Sequence, residues 1–113
     1  MIEKTILDFL SVRAPFLVYM EVPEGGAAPP FAVIEKTAGG EIDGQVRTAM
    51  LAVQSYGATL YEAAQTNELI KSFMAAAVEL PTVARVRLNS DYNYTDTTKR
   101  EYRYQAVFDI IHY

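Results

Sequence analysis

A helix with a marked start and a marked stop sits in the middle of this chain, and whatever surrounds it must cover its one apolar face. Thr59-Leu-Tyr-Glu62 matches a capping box, in which the Thr hydroxyl and the Glu carboxylate each satisfy an otherwise orphaned backbone amide. Behind it Leu60, Ala63, Ala64, Ile70, Phe73, Met74 and Ala77 recur at helical spacing, which makes a broad apolar face. Pro81 stops the helix, because proline has no amide to donate and its ring clashes with the preceding turn. Asn67 falls on or beside the stripe and reads as a side chain at its edge.

The segments before this helix are short. Ile2, Ile6, Phe9 and Leu10 form one apolar stripe of a first helix. Ala14-Pro15 ends it, since the proline ring crowds the preceding residue out of helical geometry. Phe16 to Val22 reads as a strand, and residues 23–30 are a loop rich in Pro and Gly. Phe31 to Ala38 is a second strand, and the three glycines of Gly39-Gly-Glu-Ile-Asp-Gly44 are expected to break it. Val46 to Tyr56 is a third. It is apolar on both alternations around Ala49-Met-Leu-Ala-Val53, which predicts a central strand covered on both faces.

After the long helix, Val83 to Tyr94 and Arg100 to His112 read as an antiparallel hairpin around Thr97. That centre sets Ala84 against Ile110, Val86 against Phe108, Leu88 against Ala106 and Tyr92 against Tyr102. On the other face it sets Arg85 against Asp109, Asp91 against Arg103 and Asn89 against Gln105. Apolar residues meet apolar ones and opposite charges meet, worth roughly 0.2–1 kcal/mol per pair. The expected fold class is α+β: a two-layer, mostly antiparallel β-sheet with two helices packed on one face, in the order α-β-β-β-α-β-β. Residues 1–113 are read as one domain, with no internal repeat.

Composition removes most chemistry. With no cysteine, disulfides, thiolate zinc sites and cysteine nucleophiles are excluded. One histidine, His112, makes no histidine pair. Ten basic against fourteen acidic side chains give −4, which argues against tight general binding to nucleic acid or anionic membrane. No signal-peptide core or transmembrane stretch is visible, so the chain is expected to be made and kept in a reducing cytoplasm. Glu41 and Asp43 sit together but lack a visible partner to tune them for acid–base work. Asp91 and Asp96 lack the further oxygen ligands of a calcium loop. Gly39 to Gly44 lacks the lysine and Ser/Thr of a phosphate-binding loop, and no helix follows it. No serine lies in a nucleophile motif. The reading is a protein that is not an enzyme and takes no cofactor or metal.

One asymmetry is more informative. Residues 1–80 carry ten acidic and five basic side chains, net −5, whereas residues 81–113 carry four and five, net +1. Tyr92, Tyr94, Tyr102, Tyr104 and Tyr113 are five of the eight tyrosines. Tyr and Arg are enriched at protein interfaces, and aromatics interleaved with cations also suit single-stranded nucleic acid. The small charge favours the interface.

Leu88-Asn-Ser-Asp-Tyr-Asn-Tyr-Thr-Asp96, continuing to Arg103-Tyr-Gln-Ala-Val-Phe-Asp-Ile110, resembles short prophage-encoded tail proteins. So do Phe31-Ala-Val-Ile-Glu-Lys36, Ala52-Val-Gln-Ser-Tyr56 and Leu60-Tyr-Glu-Ala-Ala64. The chain is similar, over nearly its whole length, to the tail-terminator or tail-to-head joining proteins of long-tailed bacteriophages. The resemblance implies an α+β protomer that forms a ring, usually a hexamer, on the last layer of the tail tube. Such a ring stops tube growth and joins the filled head. It implies assembly in the host bacterial cytoplasm, then residence in the virion. The implied partners are itself and the neighbouring tail-tube and head-connector proteins, with DNA only in transit and no membrane. Alternatives are a head-completion or neck connector protein, or a small nucleic-acid-binding module. No catalytic residue is implied. The 39–44 loop and the 92–102 tip are the expected contact surfaces, with Glu41, Asp43, Tyr92, Tyr94, Arg100 and Tyr102 as assembly or lumen residues. Glu41 and Asp43 in particular are expected to face a channel that passes DNA.

Overall fold

A computed structural model describes all 113 residues. The elements are α1 (Ile2–Arg13), β1 (Leu17–Tyr19), β2 (Phe31–Asp43), β3 (Val46–Gly57), α2 (Leu60–Ala75), β4 (Val83–Asn93) and β5 (Tyr102–His112). A 3-10 turn over Ala76–Glu79 extends α2. The strands form one sheet in the order β1-β2-β3-β5-β4. Every pairing is antiparallel except β1 with β2. The fold is α+β, with the element order read from sequence. No helix is long and apolar enough to cross a membrane.

Both helices cover the same face. Ile2, Ile6, Phe9 and Leu10 of α1 and Ile70 and Met74 of α2 share one cluster with Ile34, Leu51, Val53, Phe108 and Ile110 of the sheet. α2 starts as its capping box requires: Thr59 Oγ1 accepts from the Glu62 amide at 3.1 Å. Glu62 Oε1 accepts from the Ala58 amide at 2.8 Å, one residue ahead of the cap. β3 lies at the centre, and its residues from Leu51 to Gly57 are all buried. On the helix-free face a smaller cluster covers one end, where Phe31, Val33 and Tyr56 pack with Tyr19 and Ala27.

Three expectations are corrected. The strand after α1 is only three residues long, because it pairs with β2 at Leu17, Val18 and Tyr19 alone. The glycine run does not break β2. Gly39, Gly40 and Glu41 pair with Ala49, Thr48 and Arg47, and two bulges flank this stretch. A long partner strand supplies the ladder that local propensity lacks, so pairing overrides the weak preference of glycine. The turn is confined to Asp43–Val46, where Asp43 Oδ1 accepts from the Gln45 and Val46 amides at 3.0 and 3.2 Å.

The C-terminal hairpin is also shifted. Val86 faces Ile110, Leu88 faces Phe108 and Arg87, not Arg85, faces Asp109. Past a bulge between Leu88 and Ser90, Tyr92 faces Gln105, and Asp91 faces Ala106 instead of Arg103. The expected Asp91–Arg103 pair is worth at most about 1 kcal/mol on a surface. Asp91 instead bonds α2, and the turn is fixed further along, where Asp96 Oδ1 accepts from the Thr98 and Lys99 amides at 3.0 and 3.2 Å.

Candidate assembly surfaces

The two long hairpins point in opposite directions. Arg47 of β3 lies level with His112 of β5, and Gly57 with Tyr102. The β2–β3 tip therefore crowns one end of the molecule and the β4–β5 tip the other, in a body of 43 × 26 × 25 Å. The sequence-derived residues fall into these two groups, with Glu41 and Asp43 at one end and Tyr92, Tyr94, Arg100 and Tyr102 at the other.

At the β4–β5 end, Asp96 and Glu101 exchange backbone bonds of 3.0 and 3.1 Å. The chain then turns through Arg100, whose φ of 54° is in the left-handed region, which is uncommon outside glycine. This presents the Arg100 side chain to solvent. Tyr92 and Tyr94 meet edge to face, with ring centroids 5.9 Å apart, and remain 41% and 43% exposed. The Arg103 guanidinium lies 4.6 Å from the Tyr94 ring centroid. Its Nε donates to Tyr94 O at 2.7 Å and its Nη1 to the Tyr56 hydroxyl at 3.2 Å. Gln54 donates to Gln105, which donates to the Tyr92 hydroxyl. Tyr92 and Tyr94 thus stand on an ordered polar base spanning three strands. Tyr102 is half-buried opposite Gly57. Sequence reasoning missed Arg103, Gln54 and Gln105, because it sent Arg103 to Asp91. The alternation of 103 and 105 on one face is the signal that points to them.

At the β2–β3 end, Glu41 and Asp43 share the tip but not a face. Glu41 lies opposite Arg47, on the side of Ala49 and Leu51 that the helices cover. Asp43 lies opposite Val46, on the helix-free side. Near this end the helix-free face carries a groove of about 350 Å³ bordered by Met50, Arg85, Arg87 and Asp109. Neither arginine is in a salt bridge, and Asp109 Oδ2 accepts from Asn89 at 3.1 Å.

One polar cluster ties the layers together. Asn67 is 2% exposed, well inside the stripe and not at its edge. Its Nδ2 donates to Asp91 Oδ1 at 2.6 Å, and Lys71 Nζ donates to Asp91 Oδ2 at 2.6 Å. Lys71 also meets Glu68 at 2.8 Å. Hydrogen bonds donated to Asp91 and then to Glu68 raise the Lys71 pKa above its ordinary 10.5, against an opposing effect of burial. A raised pKa means the folded state holds this proton more tightly. The resulting stabilisation is complete below the ordinary lysine range and is lost as pH rises through and above it. Lys71→Met should remove that alkaline loss. Above pH 10.5 the wild-type melting temperature should fall more steeply than the variant's, by an amount equivalent to less than about 1 kcal/mol because the pair is partly solvated. Parallel pH profiles of the two melting temperatures would refute it.

The chain matches no protein-family model and no curated protein sequence.

Proposed function

We propose that this protein is a structural component of a phage tail that caps the tail tube and joins it to the head, acting as a ring of identical copies. The observation that carries the reading is the two-ended shape: one sheet presents chemically different hairpin tips at its opposite ends. A joining piece must meet one structure on each side. The β4–β5 tip offers exposed Tyr92 and Tyr94 with Arg100, the residue types favoured in protein interfaces. The β2–β3 tip offers Glu41 and Asp43. Tube and head would engage different ends, so the ring imposes a direction on the junction.

The charge fits the same role. Each copy carries −4, repeated around the ring, and like charge keeps DNA from adhering in transit. The ring forms in the host bacterial cytoplasm and remains in the virion. Electron microscopy of tails assembled without this protein tests the reading. Abnormally long tubes that fail to join heads are expected, and tubes of normal length attached to heads would overturn it.

A further inference from the structure

The sheet ends in two unprotected edges that are complementary to each other. On one side β1 pairs with only Phe31, Ala32 and Val33 of β2, so the outer edge of β2 from Ile34 to Asp43 has no strand beside it. On the other side β4 pairs with β5 alone, which leaves its outer edge free along its length. Open edges of this length are templates for strand addition.

Three features match these edges. Each has a regular four-residue stretch between bulges, Ala38–Glu41 in β2 and Arg85–Leu88 in β4. The two stretches stand at the same height in the sheet, since Gly39 is level with Ala49, Ile110 and Val86. Opposite charges border them on the helix-free face, where β2 presents Glu35 and Asp43 on either side of its stretch and β4 presents Arg85 and Arg87 within its own.

Direction decides which occupant fits. β2 and β4 run antiparallel to one another within the sheet. Copies around a rotation axis keep their orientation, so the β4 edge of one meets the β2 edge of the next in antiparallel alignment. The geometry points to a head-to-tail joint between copies of this chain, in which the β4 edge at Arg85–Leu88 pairs with the β2 edge at Ala38–Glu41 of its neighbour. Arg85 and Arg87 repel stray strands, and Glu35 and Asp43 of the next copy make this one acceptable. The joint is heterologous, so repeated copies close into a ring or extend as a filament. This rests on the ring reading above and specifies how its copies meet.

Sedimentation velocity of the full chain, with hydrogen exchange on the same samples, tests it. Arg85→Glu with Arg87→Glu places like charges across the joint and should weaken self-association by roughly 100-fold or more. Both arginines are exposed and outside salt bridges, so far-UV circular dichroism should stay unchanged, and the urea midpoint should drop only slightly because Arg87→Glu sets a like charge opposite Asp109. Adding Glu35→Lys to the same chain should restore assembly at least in part, with Asp43 left in place because its carboxylate holds the β2–β3 turn. In the assembled wild type, the outward-pointing amides within 38–41 and 85–88 should exchange at least about tenfold more slowly than in the dilute monomer. Assembly unaffected by the arginine reversals, or assembly without that protection, overturns the edge joint and leaves the ring reading standing. A wild-type chain that stays monomeric at every concentration overturns the joint, while tube length in its absence still decides the ring reading separately.

Discussion

Replacing Gly57 with alanine is expected to lower unfolding stability by about 3 kcal/mol, the upper part of the range for forcing an extra group into packed structure. Gly57 is the last residue of β3, and α2 begins three residues later. A Cβ at this position falls 2.3 Å from the Ala63 amide nitrogen, and 2.8 Å from both the Glu62 carbonyl carbon and the Thr59 oxygen. All three are backbone atoms of the capped first turn, so no side-chain rotation relieves the overlap. The helix start must move, and with it the Thr59–Glu62 bond. Urea unfolding measures the loss. Gly44 is the control, since a Cβ there meets nothing, and Gly44→Ala should change stability by less than about 0.5 kcal/mol. Equal midpoints for the two variants would mean that α2 does not sit against the end of β3.

The readable parts of this fold are those whose causes are local. Thr59 and Glu62 mark the start of the long helix within one turn and Pro81 marks its end, and its capping bonds form nearly as the spacing dictates. The stripe of Ile2, Ile6, Phe9 and Leu10 is buried for the same reason. What was illegible depends on distant residues. Asn67 looked like an edge position because its partner, Asp91, lies 24 residues along the chain. The same bond took Asp91 away from Arg103 and removed the ion pair on which the expected hairpin register leaned. Gly39 and Gly40 read as a loop because a strand made by its partner leaves little trace in its own composition. The candidate surfaces divide likewise. Tyrosine enrichment and charge asymmetry revealed the tips as regions, but the opposition of the two ends and of the two edges appears only once the order β1-β2-β3-β5-β4 is known.

That order makes Phe108 the position where truncation should cost most. Leu88 and Phe108 are direct neighbours in the ladder and face the same helices, and by alternation alone they look alike. Strand position separates them. Phe108 stands on β5, flanked by Leu51 of β3 and Leu88 of β4, and is 2% exposed within the main cluster. Leu88 stands on the edge and is 45% exposed. Phe108→Ala should therefore destabilise by about 3–5 kcal/mol, because lost transfer energy adds to a cavity that strands on both sides and helices above keep from collapsing. Leu88→Ala removes contacts from a residue half in water already, at a cost of about 1 kcal/mol. Thermal and urea unfolding of both variants measure the difference. A chain of this size has only about 5–15 kcal/mol in hand, so the Phe108 variant should lose a large share of its stability while the Leu88 variant stays close to the wild type. Measured on the dilute monomer, losses of similar size would show that β4 does not form the edge of this sheet.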